Sequence, residues 1–235
     1  MSPAPILRVE NLAKTFTLHT QGGVRLPVFE QVNFTVSPGE CVVLAGPSGS
    51  GKSTLLRSLY ANYLPDAGAI RVTHGGGGWV DMVSAEPREI LAVRRETMAY
   101  VSQFLRVIPR VPAVDIVAEP LIAQGVAEGT AKGKARDLLA RLALPERLWG
   151  VPPATFSGGE QQRVNIARSF VRSYPVVLLD EPTASLDAAN RDTVVALVNE
   201  ARQAGAALVA ICHDAPVRGA IATRLLDVTE FQAAA

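Results

Sequence analysis

The eight residues Gly46-Pro47-Ser48-Gly49-Ser50-Gly51-Lys52-Ser53 constrain this chain more than any other stretch. They fit the pattern G-x-x-x-x-G-K-[ST]. They stand between an apolar run, Cys41 to Ala45, and a segment, Lys52 to Ala61, whose Leu55, Leu56 and Leu59 recur at helical spacing. A buried strand that turns through glycines directly into a helix leaves consecutive backbone N–H groups free to point inward, and the helix adds the positive end of its dipole. Such a loop binds phosphate. The expected contact set is Gly46, Pro47, Ser48, Gly49, Ser50, Gly51, Lys52, Ser53 and Thr54. In it Lys52 reaches the β- and γ-phosphates of a nucleotide as a point charge, and Ser53 offers a hard oxygen to Mg2+. The loop alone implies a nucleotide binder without saying of which kind.

The surrounding pattern predicts an α/β chain. Ile6 to Glu10 and Val28 to Val36 read as strands with a turn around Gln21-Gly22-Gly23. Ile70 to Thr73 and Trp79 to Val83 read as a hairpin about Gly75-Gly76-Gly77-Gly78, a tip with no helix after it to make an anion cradle. From Phe104 to Thr155 strand signals vanish, Pro109, Pro112 and Pro120 punctuate, and Lys134 to Leu142 carries a helical period, as an inserted helical lobe would. Beyond it come a helix (Gly158 to Arg172), a buried strand (Val176 to Leu179), a helix (Asn190 to Ala204), a strand (Ala207 to Ile211) and a last strand near Leu225 to Val228. Strands alternating with helices predict a mostly parallel sheet covered on both faces.

Composition excludes several classes. With 48% hydrophobic and 19% charged residues in 235, the chain can bury a large core and is not disordered. A net charge of +1 marks no nucleic-acid or anionic-membrane binder. No apolar run approaches the ~20 residues needed to cross a bilayer, and Met1 to Leu7 lacks the basic-then-apolar start of a signal peptide. The expectation is a cytoplasmic protein with no membrane insertion of its own. Cys41 and Cys212 sit in apolar, strand-like runs, which suits buried thiols in a reducing compartment, and no Cys/His spacing suits zinc.

Two further clusters fit the loop. Val176 to Leu179 is followed by Asp180 and Glu181, so a buried strand delivers two carboxylates to the sheet edge where ligands of open α/β sheets bind. There Asp180 can hold Mg2+ and Glu181 can orient and deprotonate an attacking water. Phe156-Ser157-Gly158-Gly159-Glu160-Gln161-Gln162-Arg163 contains a capping box, Ser157 with Glu160, that starts a helix. Its two glycines add something a cap does not need, which is close access for an anion to the helix N-terminus.

That string resembles the signature of ATP-binding-cassette (ABC) ATPases, usually L-S-G-G-Q, with Phe156 and Glu160 in place of the Leu and Gln. The phosphate loop, Gln103, Ser157 to Gly159, Asp180-Glu181, Ser185-Leu186-Asp187 and His213 fall in that family's order. The resemblance implies a P-loop NTPase core, about residues 1–103 and 156–235, with an N-terminal antiparallel β subdomain and a helical subdomain at about 104–155, all one domain. It also implies Mg-ATP hydrolysis in a head-to-tail dimer, where the phosphate loop of one subunit and Ser157, Gly158 and Gly159 of the other clamp one γ-phosphate. By the same likeness Gln103 senses Mg2+ and the partner, Asp187 touches the opposite subunit, His213 hydrogen-bonds the γ-phosphate and Phe16 stacks on adenine. Taken alone, His213 reads as a core or surface histidine; for Phe16, core packing is the alternative to the adenine contact.

More narrowly, Gly23 to Val28, Leu55 to Pro65, Val101 to Arg110 and Phe156 to Arg168 resemble PhnL-type cassette subunits of the bacterial phosphonate carbon–phosphorus lyase system. That implies an accessory ATPase working with the phosphonate-degrading complex and a second cassette subunit. In that pathway ATP also supplies the triphosphate of ribose 1-phosphonate 5-triphosphate. The rival reading is the motor of a membrane transporter of the lipoprotein-release or macrolide-export type, docked through Phe104 to Pro109. DNA-repair cassettes carry coiled-coil or zinc insertions that this chain lacks.

Overall fold

A computed structural model describes residues 3–18, 23–103 and 110–232. Nine strands and seven α-helices lie among them: β1 (Leu7–Leu18), β2 (Val24–Val36), β3 (Cys41–Ala45), α1 (Lys52–Leu59), β4 (Ala67–His74), β5 (Gly78–Asp81), α2 (Pro87–Glu96), β6 (Met98–Val101), α3 (Ala113–Ile122), α4 (Glu128–Arg141), α5 (Gly158–Phe170), β7 (Val176–Asp180), α6 (Ala188–Gln203), β8 (Ala207–Ile211), α7 (Ala215–Ile221) and β9 (Arg224–Asp227). They form an antiparallel sheet in the order β2-β1-β4-β5 and a parallel sheet in the order β6-β7-β8-β3-β9.

The central parallel strands are near-continuous apolar runs because they are buried on both faces. Every residue of β7 and β8 is buried, and so are the first four of β3. Odd and even residues of one strand therefore serve two different cores. Val42 and Leu44 of β3, with Val176 and Leu178 of β7, join Leu7, Phe29, Leu55, Leu59 and Ile70 between the two sheets. Cys41, Val43, Val177 and Leu179 face the opposite core, built from α3, α4, α5 and α6 around Leu139, Val164 and Leu197. Both cysteines are buried free thiols, and burial pushes Cys41 up to about 12.

The predicted α/β architecture holds, with differences at the edges. The strands expected to end at Glu10 and begin at Val28 are longer, because β1 bulges between Val9 and Thr15 and its side-chain alternation breaks there. Of the expected turn, Gln21 and Gly22 lie outside the described residues, as do Phe104 to Pro109. The four-glycine tip is a hairpin connection between β4 and β5. α2, β6, α3 and α7 were not anticipated. α3 starts after Pro112 and carries Pro120 inside it, so two prolines that read as loop punctuation bracket and occupy a helix.

Candidate nucleotide site

Because β6, β7, β8 and β3 all run parallel, the residues that follow them emerge at one edge of the sheet. Gln103 follows β6, Asp180 and Glu181 end β7, His213 follows β8, and the phosphate loop follows β3. A cleft of about 630 Å3 opens there. Ser48, Gly49, Gly51, Lys52, Ser53 and Thr54 form its floor, Glu181 and His213 one wall, and Phe16, Leu26, Pro27 and Val28 another, with Gln232 at the rim.

The loop is shaped for close approach. Gly51, the residue before α1, has φ +93°, and a Cβ there would lie 2.7 Å from Val28 Cγ1. Lys52 is 7% exposed, and its Nζ donates to the carbonyls of Gly46 (2.8 Å) and Pro47 (2.6 Å), which keeps the ammonium inside the loop's curve. Ser50 Oγ, in the same loop, is buried with no hydrogen-bond partner among the described residues.

Asp180 is 1% exposed and hydrogen-bonded at both oxygens. Oδ1 accepts from Ser53 Oγ at 3.2 Å and Oδ2 from the Tyr100 hydroxyl at 2.9 Å. Burial, and then the Asp180 charge, push the Tyr100 phenol well above its ordinary range, so it is a neutral donor. Ser53 and Asp180 supply two adjacent hard oxygens. Mg2+ takes few protein ligands and completes its shell with phosphate and water, so these residues fit it.

Glu181 departs from strand geometry. Its φ is +51°, a left-handed conformation rare outside glycine, while its N–H still bonds Ile211 O at 3.1 Å. The twist turns the carboxylate out of the sheet and into the cleft, where Oε1 lies 3.0 Å from His213 Nε2. Phe16, with Lys14 Nζ 5.2 Å from its ring centroid, presents a planar apolar wall beside Leu26.

The other sequence candidates sit elsewhere. Ser157 and Gly158 are exposed, and Ser157, Gly158, Gly159, Gln103 and Asp187 do not line the cleft. Ser157 caps α5 as the capping box predicts. Its Oγ accepts from Glu160 N at 3.3 Å, while Glu160 Oε2 accepts from both the Ser157 amide and hydroxyl at 2.8 Å. Those two donations hold Glu160 below the usual carboxylate range. Gly159 lies against the backbone of Ser185, whose carbonyl would stand 2.8 Å from an added Cβ, so the signature strip abuts the segment leading to Asp187. Asp187 caps α6, accepting from Asn190 N at 2.9 Å, which lowers its own pKa.

Sequence reasoning missed Leu26, Gln232, Tyr100 and Arg57. Leu26 belongs to a strand whose start was placed at Val28, and Gln232 to a tail that carries no motif. Tyr100 lies in β6, which gives no strand signal in the sequence, and Arg57, whose Nε stands 4.0 Å from Asp180 Oδ2, reads as an ordinary helix position.

Fold and site together define a nucleotide-binding ATPase domain of the cassette type. A family model described as ABC transporter matches residues 29–184, and the chain belongs to that family as its ATP-hydrolysing subunit. Its relatives include a lipoprotein-releasing system ATP-binding protein, LolD, of Maricaulis maris, 38% identical over 91% of this chain and 90% of that protein. They also include the macrolide export ATP-binding/permease protein MacB of Marinobacter nauticus, 34% identical over 92% of this chain but only 32% of that longer protein. Among solved structures, the chain superposes on a chain of the dimeric cassette MJ0796 bound to ADP and Pi with a TM-score of 0.83 and 28% identity, covering 95% of both chains.

Proposed function

We propose that this chain hydrolyses Mg-ATP as half of a head-to-tail pair and passes the resulting movement to a partner protein through its 104–155 lobe. The observation that carries this is the division of the site. Lys52, Ser53, Glu181 and His213 share one cleft, while Ser157 to Gly159, an exposed glycine-started helix N-terminus, stands apart from it, available to a second copy. The known pairing of a relative's cassette as a dimer with ADP and Pi supports the same arrangement.

In this reading the loop amides and Lys52 bind the β- and γ-phosphates, and Phe16 and Leu26 hold the base. Mg2+, held by Ser53 and Asp180, neutralises charge on the phosphates when bound. Glu181 takes the proton of the attacking water, and His213, 3.0 Å away, keeps that carboxylate facing the γ-phosphate. Gln103, at the end of β6, leads into the 104–155 lobe, which makes it the joint between metal site and partner. Residues 1–103 and 156–235 then act as the nucleotide core of a single domain.

The relatives' names support a transporter permease as the partner, which favours a lipoprotein-release or macrolide-export motor over the phosphonate-lyase assignment. A second reading keeps the phosphonate-lyase complex as partner. It rests on the resemblance of Leu55 to Pro65 and Val101 to Arg110, the latter running into the lobe where a partner docks. Under either reading the subunit is cytoplasmic, and among the described residues no helix is long and apolar enough to cross a membrane.

Glu181→Gln tests the chemistry. It should retain nucleotide binding and slow hydrolysis by about 100-fold or more, as loss of a general base does. Normal turnover with the partner present would remove Glu181 from that role. Affinity purification from the native host tests the partner: recovery of a permease supports the first reading, and recovery of phosphonate-lyase subunits the second.

A further inference from the structure

Asp180 is held from behind by a group of side chains outside the phosphate loop. Its Oδ2 receives the Tyr100 hydroxyl at 2.9 Å and lies 4.0 Å from Arg57 Nε, while Oδ1 turns to Ser53. A carboxylate this close to a guanidinium would ordinarily swing into a salt bridge with it. Here Arg57 is committed elsewhere. It donates to the Tyr63 hydroxyl at 3.2 Å. An ionised carboxylate only accepts, so the single O–H proton of Tyr100 is the one that restrains Asp180 Oδ2. The Tyr100 ring is fixed in turn: it stacks on Tyr60 at 5.0 Å and 26°, and Tyr60 carries Arg94 4.6 Å from its centroid.

We infer that Tyr100 is a positioning residue for the metal-binding carboxylate, holding Oδ2 so that Asp180 presents Oδ1 beside Ser53 instead of turning to Arg57. This rests on the reading above that Asp180 and Ser53 hold Mg2+. Remove the phenol proton and Oδ2 loses its restraint, with Arg57 the nearest competitor. The metal site then loosens while the phosphate loop and the base wall, which Tyr100 does not touch, stay as they are.

The test is calorimetric binding of a non-hydrolysable ATP analogue to the intact protein, with Mg2+ and with EDTA, together with thermal melting. Tyr100→Phe keeps the ring stack and removes one hydrogen bond to a charged acceptor. It should cut the Mg2+-dependent gain in affinity about tenfold and leave the EDTA affinity within about twofold. Arg57→Gln added to Tyr100→Phe removes the competitor and should restore part of the lost gain, and Tyr100→Met carries the test if Tyr100→Phe does not fold. A Tyr100→Phe protein that keeps the full Mg2+ gain, or loses affinity equally with and without Mg2+, overturns the inference. Asp180→Asn separates the two claims. If that variant keeps the Mg2+ gain, the metal reading itself is wrong; if it loses the gain while Tyr100→Phe keeps it, only the positioning role is wrong.

Discussion

At the residue scale the signature strip holds a conflict. Ser157 offers its amide and hydroxyl, yet both already donate to Glu160 Oε2 at 2.8 Å. These bonds keep Glu160 ionised, so its charge would face any phosphate brought to Ser157 from a second copy. A glutamine there could still accept from the amide without the charge. Glu160→Gln should therefore strengthen nucleotide-driven pairing by about three- to tenfold, the size expected for one partly screened like-charge contact. Fold stability should fall by only about 0.5 kcal/mol, since the charge at the helix start is lost. Sedimentation in a Glu181→Gln background, where ATP persists, reads this directly, and unchanged or weaker pairing would mean that Glu160 turns aside in the dimer. The phosphate loop, Asp180-Glu181 and the signature were legible because each is a contiguous string whose chemistry follows from its residue types. Tyr100 and Arg57 were not, since 80 residues separate Tyr100 from Asp180 and only the β6–β7 pairing brings them together.

At the element scale the buried strands were the easiest to read and the bent ones the hardest. β3, β7 and β8 are unbroken apolar runs, and their observed bounds agree with the pattern to within a residue. β1 is different. Asn11 takes φ +48° and its amide bonds Asn33 Oδ1 at 2.9 Å, so the strand bends at a point where period-two alternation gives no signal. Gly68 of β4 crosses that bend at φ +90°, where a Cβ would lie 2.5 Å from the carbonyl oxygens of both Glu10 and Asn11. Neither backbone can yield, because Asn11 is tied to Asn33 and Ala69 is paired with Glu10. Gly68→Ala should cost about 2 kcal/mol or more in urea unfolding, combining left-handed strain with the clash. A loss within 0.5 kcal/mol, about that of an ordinary surface change, would show that the β1–β4 crossing is compliant. Short α2 and β6 escaped for another reason: a charged ten-residue helix and a four-residue edge strand carry too few apolar positions to declare a period.

At the scale of the whole molecule, the proposed pairing treats one chain as carrying two separate half-sites. Lys52 and Glu181 line the cleft, whereas Ser157 begins α5 outside it, so in the proposed pairing a complete site takes residues from two copies. Two-fold pairing of identical chains makes any such contact twice, and each dimer then holds two composite sites. This yields a result that no single-chain mechanism produces. Lys52→Ala should silence the loop half, and Ser157→Arg should block the signature half, so each homodimer lacks two working sites. In a mixed dimer, however, the intact Lys52 of one chain faces the intact Ser157 of the other, and one site is whole. Random exchange makes half the dimers mixed, each with one good site of two, so the mixture should regain up to about a quarter of the wild-type rate. Titrating one inactive variant into the other and following phosphate release gives the answer. A rate that rises with mixing and peaks at equal amounts places Lys52 and Ser157 in one site across the interface, while a mixture no faster than its components would mean that the two residues never meet.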